Sequence, residues 1–552
     1  NPNDRIFRGT MYITLDGNYG VQKIDMTVSK NANLNLTREL KISQDFKKAF
    51  DGRFHVVKSS MSAEFSLSKK ASGGLFGIRT VSLSDYQINH PAPDSIYKAP
   101  DMVVRKNSSE RSDSFWTAER PAHALTSAEA KTYYNIDSLR NMKSFKRLGD
   151  IFTLVFSGYL EWGKVEIGNT NTFYSFNPVE GFRLKFGGRT TTRLSNTFFL
   201  DSYLAYGFKD KKFKYLLGAT YSFNHKSVYS YPLNYLKISY QHETTIPGQE
   251  LLFVQEDNFF LSFKRGDNDR YLYNKYFKSE YVREFGKNIS YDITFKNWNQ
   301  APAGNIVFQK ISDNKIISDI TTSEISAQLR WAPNEQFYQG KQYRIPILNK
   351  YPIFILRYSQ GIKGLINGEY NYQNLYLRAD KRFYLSQLGY VDATLEGGYI
   401  FGKLPFPLLT IHRANQTYAY QDNSYNLMNF MEFVSDEFAS SRWDFHFNGF
   451  FLNKVPYLKK LHLREVATFK LLYGGLRSEN NPAKNPELVK FPIDDTGQPT
   501  TFSLNNGPYM EGSVGVSNIF KLLRVDVVKR FSYLNHPDVS KIGLRFFVKF
   551  DF

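Results

Sequence analysis

Along most of this chain, apolar and polar residues take turns at every second position. The last twelve residues show it most plainly. One set is Ile542, Leu544, Phe546, Val548, Phe550 and Phe552, and all six are apolar. The other is Lys541, Gly543, Arg545, Phe547, Lys549 and Asp551, and it is mostly polar. Successive side chains of a β-strand point to opposite faces, so the pattern predicts a strand that is greasy on one side and charged on the other. It runs to a terminal aromatic residue, as expected of a closing strand in a sheet that has no free edge.

The same period returns upstream. Phe213, Tyr215, Leu217, Ala219, Tyr221 and Phe223 alternate with polar or small residues in KFKYLLGATYSF. Ile289, Tyr291, Ile293 and Phe295 oppose Ser290, Asp292, Thr294 and Lys296; Ile325, Ala327, Leu329 and Trp331 oppose Glu324, Gln328 and Arg330. In SRWDFHFNGFF, Trp443, Phe445, Phe447, Gly449 and Phe451 face one way, and Arg442, Asp444, His446 and Asn448 the other. From about residue 151 to 552 there are roughly sixteen such segments, of the nine to eleven residues a tilted membrane strand needs. Nearly every one has a ring-rich face and a charged or amide face. A sandwich would need a second greasy layer of equal size. A single closed sheet, with lipid outside and water inside, satisfies all the strands at once. The fold class expected is all-β, a transmembrane antiparallel β-barrel of about sixteen strands.

Two regions precede it. Residues 1–90 read as a small antiparallel β domain, with strands in IFRGTMYITLD, YGVQKIDMTVSK, LTRELKISQDF, FHVVKSSMSAEFSLS and GIRTVSLSDYQIN, separated by turns such as Asp16-Gly17-Asn18 and Asp51-Gly52. Its moderate hydrophobicity suits the periplasm. Residues 91–150 begin Pro-rich in HPAPDSIYKAPD and then turn helical. Thr126 and Glu129 have capping-box spacing, and Tyr133, Ile136, Leu139 and Met142 recur near the helical period.

Composition sharpens this picture. Aromatics are 16% of residues and charged residues 22%. Rings and charges must therefore be interleaved, as strands with two unlike faces require. No apolar run reaches eighteen residues, so no transmembrane helix is expected; barrel strands are not tested by that criterion. With no Cys, the 552 residues hold no disulfide or thiolate metal site. No leader precedes Asn1, which suggests a mature or truncated form. The net charge of +19 suits a basic lumen or anionic lipid head groups, lipopolysaccharide included. No basic helix, zinc-finger spacing or RNP-like motif points to nucleic acid.

Several stretches carry a family resemblance: FWTAERPAHALTSAEAKTYYNIDSL, NPVEGFRLKFGGRT, GGYIFGKLPFPLLTI, NLMNFMEFVSDEFAS, FNGFFLNKVPYLKKLHLREVATFKLLYGGL and PYMEGSVGVSNIFKLLRVDVVKRF. Together they resemble the outer-membrane proteins of Bacteroidetes called carboxypeptidase-like regulatory-domain-containing. That resemblance covers most of the chain and implies an outer-membrane barrel, a missing N-terminal regulatory domain and no peptidase site. The final hairpin also resembles that of BamA-like assembly and secretion barrels, which carry an inward-folded loop with an Arg-Gly-aromatic motif. That motif is absent before Met428, where LTIHRANQTYAY is a distant counterpart, and no POTRA-like repeats precede the barrel.

Candidate chemistry is sparse. Asp444 and His446 share the expected lumen face of one strand. A hydrolase would also need a nucleophile or water held by the base, and nothing marks one, so both are read as lumen polar residues. The acids of DNDR (267–270) and DEFASSRWD (436–444) lack calcium-loop spacing. NPVEGF and LPFPLL read as a strand entrance and a fixed turn rather than a gate. No phosphate loop, HExxH or GxSxG occurs, so no catalytic residue, cofactor or metal is expected. Arg378, Asp380 and Arg382 share a lumen face, as do Arg545 and Lys549. They either give a basic lumen for anions or pair with acids into a plug-like network. The function expected is non-enzymatic: envelope biogenesis, assembly or secretion, as a subunit of a larger complex with other envelope proteins. The alternative is a passive or gated pore for small anionic solutes.

Overall fold

The computed structural model describes residues 7–28, 37–65, 75–94, 102–103, 111–119, 127–248, 263–266, 269–339, 344–347, 349–494 and 496–548. Thr126, Lys549, Phe550 and Phe552, and part of the DNDR motif, lie outside them.

Five strands open the chain: β1 (Phe7–Ile13), β2 (Val21–Val28), β3 (Thr37–Lys48), β4 (Phe54–Phe65) and β5 (Leu75–Ser82). They pair antiparallel in chain order, one for each alternating segment of this region. Register places Met26, Ile42 and Met61 opposite one another on one face. Among the described residues of this sheet, Ala63 is the only buried apolar one. After the short β6 (Met102–Val103) come three helices: α1 (Asp113–Glu119), α2 (Ser127–Asn141) and α3 (Lys143–Ser157). The helical stretch thus runs up to the first strand of the large sheet.

That sheet begins with β7 (Tyr159–Trp162), β8 (Val165–Gly168), β9 (Tyr174–Asn177), β10 (Gly181–Thr190), β11 (Phe198–Gly207) and β12 (Lys212–Ser222). It continues with β13 (Asn234–Thr245), β14 (Arg270–Phe285), β15 (Ile289–Gly304) and β16 (Ile320–Trp331). Two small strands in a connection, β17 (Phe337–Gln339) and β18 (Arg344–Pro346), precede β19 (Ile353–Gly361), β20 (Tyr372–Tyr384) and β21 (Tyr390–Phe401). A further pair, β22 (Thr410–Ile411) and β23 (Val434–Ser435), lies within the next connection. The sheet ends with β24 (Glu437–His446), β25 (Arg464–Gly475), β26 (Tyr509–Ile519), β27 (Leu523–Arg530) and β28 (Ile542–Val548).

Neighbours in the chain are neighbours in the sheet, and the order returns to its start with β28 beside β7, closing a barrel. β8 and β9 pair in turn with the two halves of β10. They act as one interrupted strand, and β7 is a four-residue stub beside it. The wall therefore matches the expected strand number closely.

Burial shows which way the wall faces. In β12, Lys214, Thr220 and Ser222 point inward and are buried, while Phe213 and Leu217 on the other face are more than half exposed. The same outer belt holds Phe186, Leu200, Leu377, Leu395, Val514 and Leu544. Apolar side chains around a whole barrel are stable only against hydrocarbon, so the wall spans a membrane. No described helix is long and apolar enough to cross one.

The two ends differ. Tight turns at 286–288, 386–388 and 520–522 and the last described residue, Val548, share one end, here the near end. There β6 pairs in parallel with β17, tying the connector to the barrel. The far end carries long connections at 402–436, 476–508 and 531–541. One alternating segment overruns its strand. β24 stops at His446, and Asn448 and Gly449 take positive φ, so Phe447 to Phe451 form a turn rather than the expected extended face.

Candidate functional site

The longest internal feature is the connection between β21 and β24. Residues 402–436 leave and rejoin the wall at the same end, so they do not cross the membrane. They fold back into the lumen, held in part by the β22–β23 pair. Leu404, Phe406, Tyr420, Asn426, Met428, Met431, Phe433 and Asp436 are all fully or almost fully buried. The sequence explains the conformation. NQTYAYQDNSYNLMNF has no period of two, so it cannot hold a greasy face to lipid. It is rich in side-chain amides that bond to backbone. Asn415 Oδ1 accepts from Thr417 N at 2.9 Å, and Asn426 Oδ1 accepts from Gln421 N at 2.9 Å.

The plug is bonded to the wall at successive strands. Glu511 of β26 accepts the backbone N–H groups of Asn426 (2.7 Å) and Leu427 (3.0 Å). Lys470 of β25 donates to the carbonyls of Ser424 (2.6 Å) and Gln421 (3.0 Å). The Tyr420 hydroxyl donates to Thr468 at 2.8 Å, under the Arg524 guanidinium 4.5 Å from its ring. Arg530 of β27 grips Glu432 with two bonds of 2.6 and 3.0 Å, and His536 Nδ1 lies 2.8 Å from the same carboxylate. Burial opposes the charge on Glu432, but the bonds from His536 and Arg530 outweigh it and hold the carboxyl below its usual range. Arg413 pairs with Glu396 of β21. His412, beside Ser435 at 2.9 Å, has its pKa pushed down to about 3 by burial and then by Arg413.

A second network lines the lumen under β10–β13. Glu180 accepts from Lys214 at 2.7 Å and from Arg183 at 3.4 Å. Arg183 also donates to Glu243 at 2.8 Å, and Tyr203 donates to Glu243 at 2.6 Å. Glu180 and Lys214 are fully buried. A buried charge survives only when paired and bonded, and here each has its partner.

The seam between last and first strands is different again. The N–H and C=O of one residue in an antiparallel strand point to the same side. In β28, the Phe546 N–H donates to Tyr418 O at 3.0 Å and its C=O accepts from Tyr420 N–H at 2.8 Å. Ala419 forms a parallel bridge with Phe546. At Phe546 the plug therefore takes the edge of β28 turned away from β27, the side on which the four-residue β7 lies.

The sequence profile of a family of unknown function, the DUF5686 C-terminal domain, matches residues 163–479, more than half of the chain. The chain belongs to this family. A comparison with curated proteins finds no match. Among solved structures, this DUF5686 barrel is similar to BamA from Haemophilus ducreyi lacking POTRA domains 1–3. The identity is 10% and the TM-score 0.41, over 70% of this chain and 71% of that one. It is similar to CdiB from Escherichia coli at 9% identity and TM-score 0.35, over 70% and 62% of the two chains. CdiB from Acinetobacter baumannii matches at 9% identity and TM-score 0.32, over 68% and 57%. The DUF5686 chain thus spans less than two thirds of either CdiB chain.

Within the DUF5686 barrel, the residues singled out from sequence fall into place. Arg378 binds Asp380 through two bonds of 2.7 and 3.0 Å and reaches Glu396 at 3.2 Å. Arg382 clamps Asp392 with two bonds of 2.6 Å. Asp444 meets His446 at 3.0 Å, Thr468 at 2.9 Å and Arg524 at 3.6 Å, and the His446 ring stacks on Tyr390. Arg545 is buried, and its guanidinium donates to the Asn426 carbonyl. Ile542, Leu544, Phe546 and Val548 are exposed on the outer belt. The described Arg378 and Arg382 are thus each paired with acids of their own strand or of the adjacent β21. Sequence reading passed over Glu180, Glu432, Glu511 and Arg530, and the plug as a unit. The signal available was the loss of alternation between Gly402 and Asp436.

Proposed function

We propose that this chain is a non-enzymatic barrel of a bacterial outer membrane, with residues 1–150 on the periplasmic side. It acts in envelope biogenesis, assembly or secretion within a larger complex, in the Bacteroidetes grouping its sequence resembles. The observation that carries the reading is the edge of β28. Its backbone groups at Phe546 are satisfied by the plug, and an extended segment of another chain satisfies such an edge equally well, by strand addition. A plug held by separate side-chain bonds gives that edge a removable cover. The plug bonded to the wall inside the lumen supports this reading over a passive pore. His446, already bonded to Asp444 and stacked on Tyr390, gives no support to a hydrolase.

The test is a photo-crosslinking residue in place of Ala419 or Phe546, in cells, with gentle extraction and mass spectrometry. Crosslinks to other envelope chains, and lower surface levels of those chains on depletion, are expected. Crosslinks confined to this chain, with an unchanged surface proteome, would sink the proposal. Strong anion-selective conductance of the native protein would favour the pore.

A further inference from the structure

Helix α3 has no role in the wall, yet it is built in an unusual way. In the sequence, Phe145, Leu148, Ile151, Phe152, Val155 and Phe156 recur at the spacing of one helix face, while Lys143, Lys146 and Arg147 fall on the other. Phe145 and Ile151 are about half exposed among the described residues. Lys143, Lys146 and Arg147 are exposed as well.

The helix is tied directly to the barrel. It ends at Gly158, which has φ 70° and donates to the Leu154 carbonyl at 3.0 Å. The Gly158 carbonyl accepts from Thr170 N–H at 2.7 Å. The next residues are β7, whose Leu160 and Trp162 are exposed on the outer belt. Tyr159 pairs with Gly168 and Trp162 with Val165, which lies at the near-end rim opposite Thr190. The C-terminal end of α3 thus joins the wall only a few residues inside that rim. The exposed Phe145 and Ile151 of the helix lead along the chain directly into the exposed Leu160 and Trp162 of the wall. Fifteen residues make a rod of about 22 Å, long enough to lie along the leaflet.

We infer that α3 is an interfacial membrane helix. Its apolar face sits at the acyl-chain boundary of the near-end leaflet, and Lys143, Lys146 and Arg147 reach anionic phosphate head groups beside the seam. The occupant of this face is phospholipid, argued from its continuity with the outer belt and from the charge of its opposite side. The chain has no Cys, so single labels can be placed without background. Phe145→Cys, Ile151→Cys and, as reference, Lys143→Cys would each carry an environment-sensitive dye. The whole chain would be reconstituted into vesicles of phosphatidylcholine and phosphatidylglycerol, and folding checked by heat-modifiable gel mobility. Lipid with brominated acyl chains is expected to quench the labels at 145 and 151 several times more strongly than the one at 143, and aqueous iodide to do the reverse. Lys146→Glu with Arg147→Glu should weaken the lipid quenching. Iodide reaching all three labels alike would overturn the inference in favour of a solvated helix. Neither quencher reaching 145 and 151 would overturn it in favour of a face covered by protein.

Discussion

At the scale of single residues, much of the charge buried in the lumen is paired. Arg530 and Glu432 show what is at stake. Removing one member leaves the other buried and charged, which costs roughly 3–5 kcal/mol, whereas replacing both by apolar residues of similar size is close to neutral. Arg530→Met alone should therefore lower the denaturant midpoint sharply, and Arg530→Met with Glu432→Leu should recover most of it. Glu511→Ala should strand the N–H groups of Asn426 and Leu427, at about 1–3 kcal/mol each, and show as flickering conductance in planar bilayers. The plug also titrates. His412 is held neutral in the seated plug, with its pKa lowered from 6.5 to about 3. Between those values a released plug binds a proton that the seated one does not, so seating weakens as pH falls. Conductance should rise below about pH 6.5, and His412→Gln should abolish that rise.

At the scale of elements, alternation named the strands well and their ends poorly. The five strands of the first sheet and the greasy faces of β12, β15 and β16 were legible because period two is a local property. The end of β24 was not, because Phe447 and Phe451 continue the pattern through a turn that Asn448 and Gly449 make possible. Turn geometry decides such boundaries. Gly389, between β20 and β21, has φ 102°, and a Cβ there would lie 1.9 Å from the His446 carbonyl oxygen. Gly389→Ala should cost about 1–3 kcal/mol, read as a lower midpoint of the heat-modifiable mobility shift with the wall still formed. Helix α3 was legible only in part: the helical connector takes in Lys143 to Asp150, while Ile151 to Ser157, whose apolar residues abut the barrel segments, fall on the barrel side of that boundary.

At the scale of the whole molecule, the barrel joins an outer surface made for hydrocarbon to a lumen that holds part of its own chain. Deleting residues 404–435 and bridging the ends with a short Gly-Ser linker should leave a folded barrel with large, steady conductance, since the outer belt does not depend on the plug. Loss of the heat-modifiable form on deletion would show instead that the plug holds the wall together through the β28 edge. The sequence by itself determined that the chain makes two-faced strands, that they need lipid on one side, and that a closed sheet satisfies them. Those are consequences of side-chain order along a strand, and no distant partner is needed to read them. Only the tertiary structure decided that Arg378 meets Asp380 and Glu396, that Glu432 meets Arg530 and His536, and that Phe546 bonds to the plug. Apart from Asp380, which shares β20 with Arg378, these partners lie on different strands or in the plug, as far apart in the chain as Tyr418 and Phe546. Such pairing depends on shear, register and the path of one long connection, which alternation does not encode.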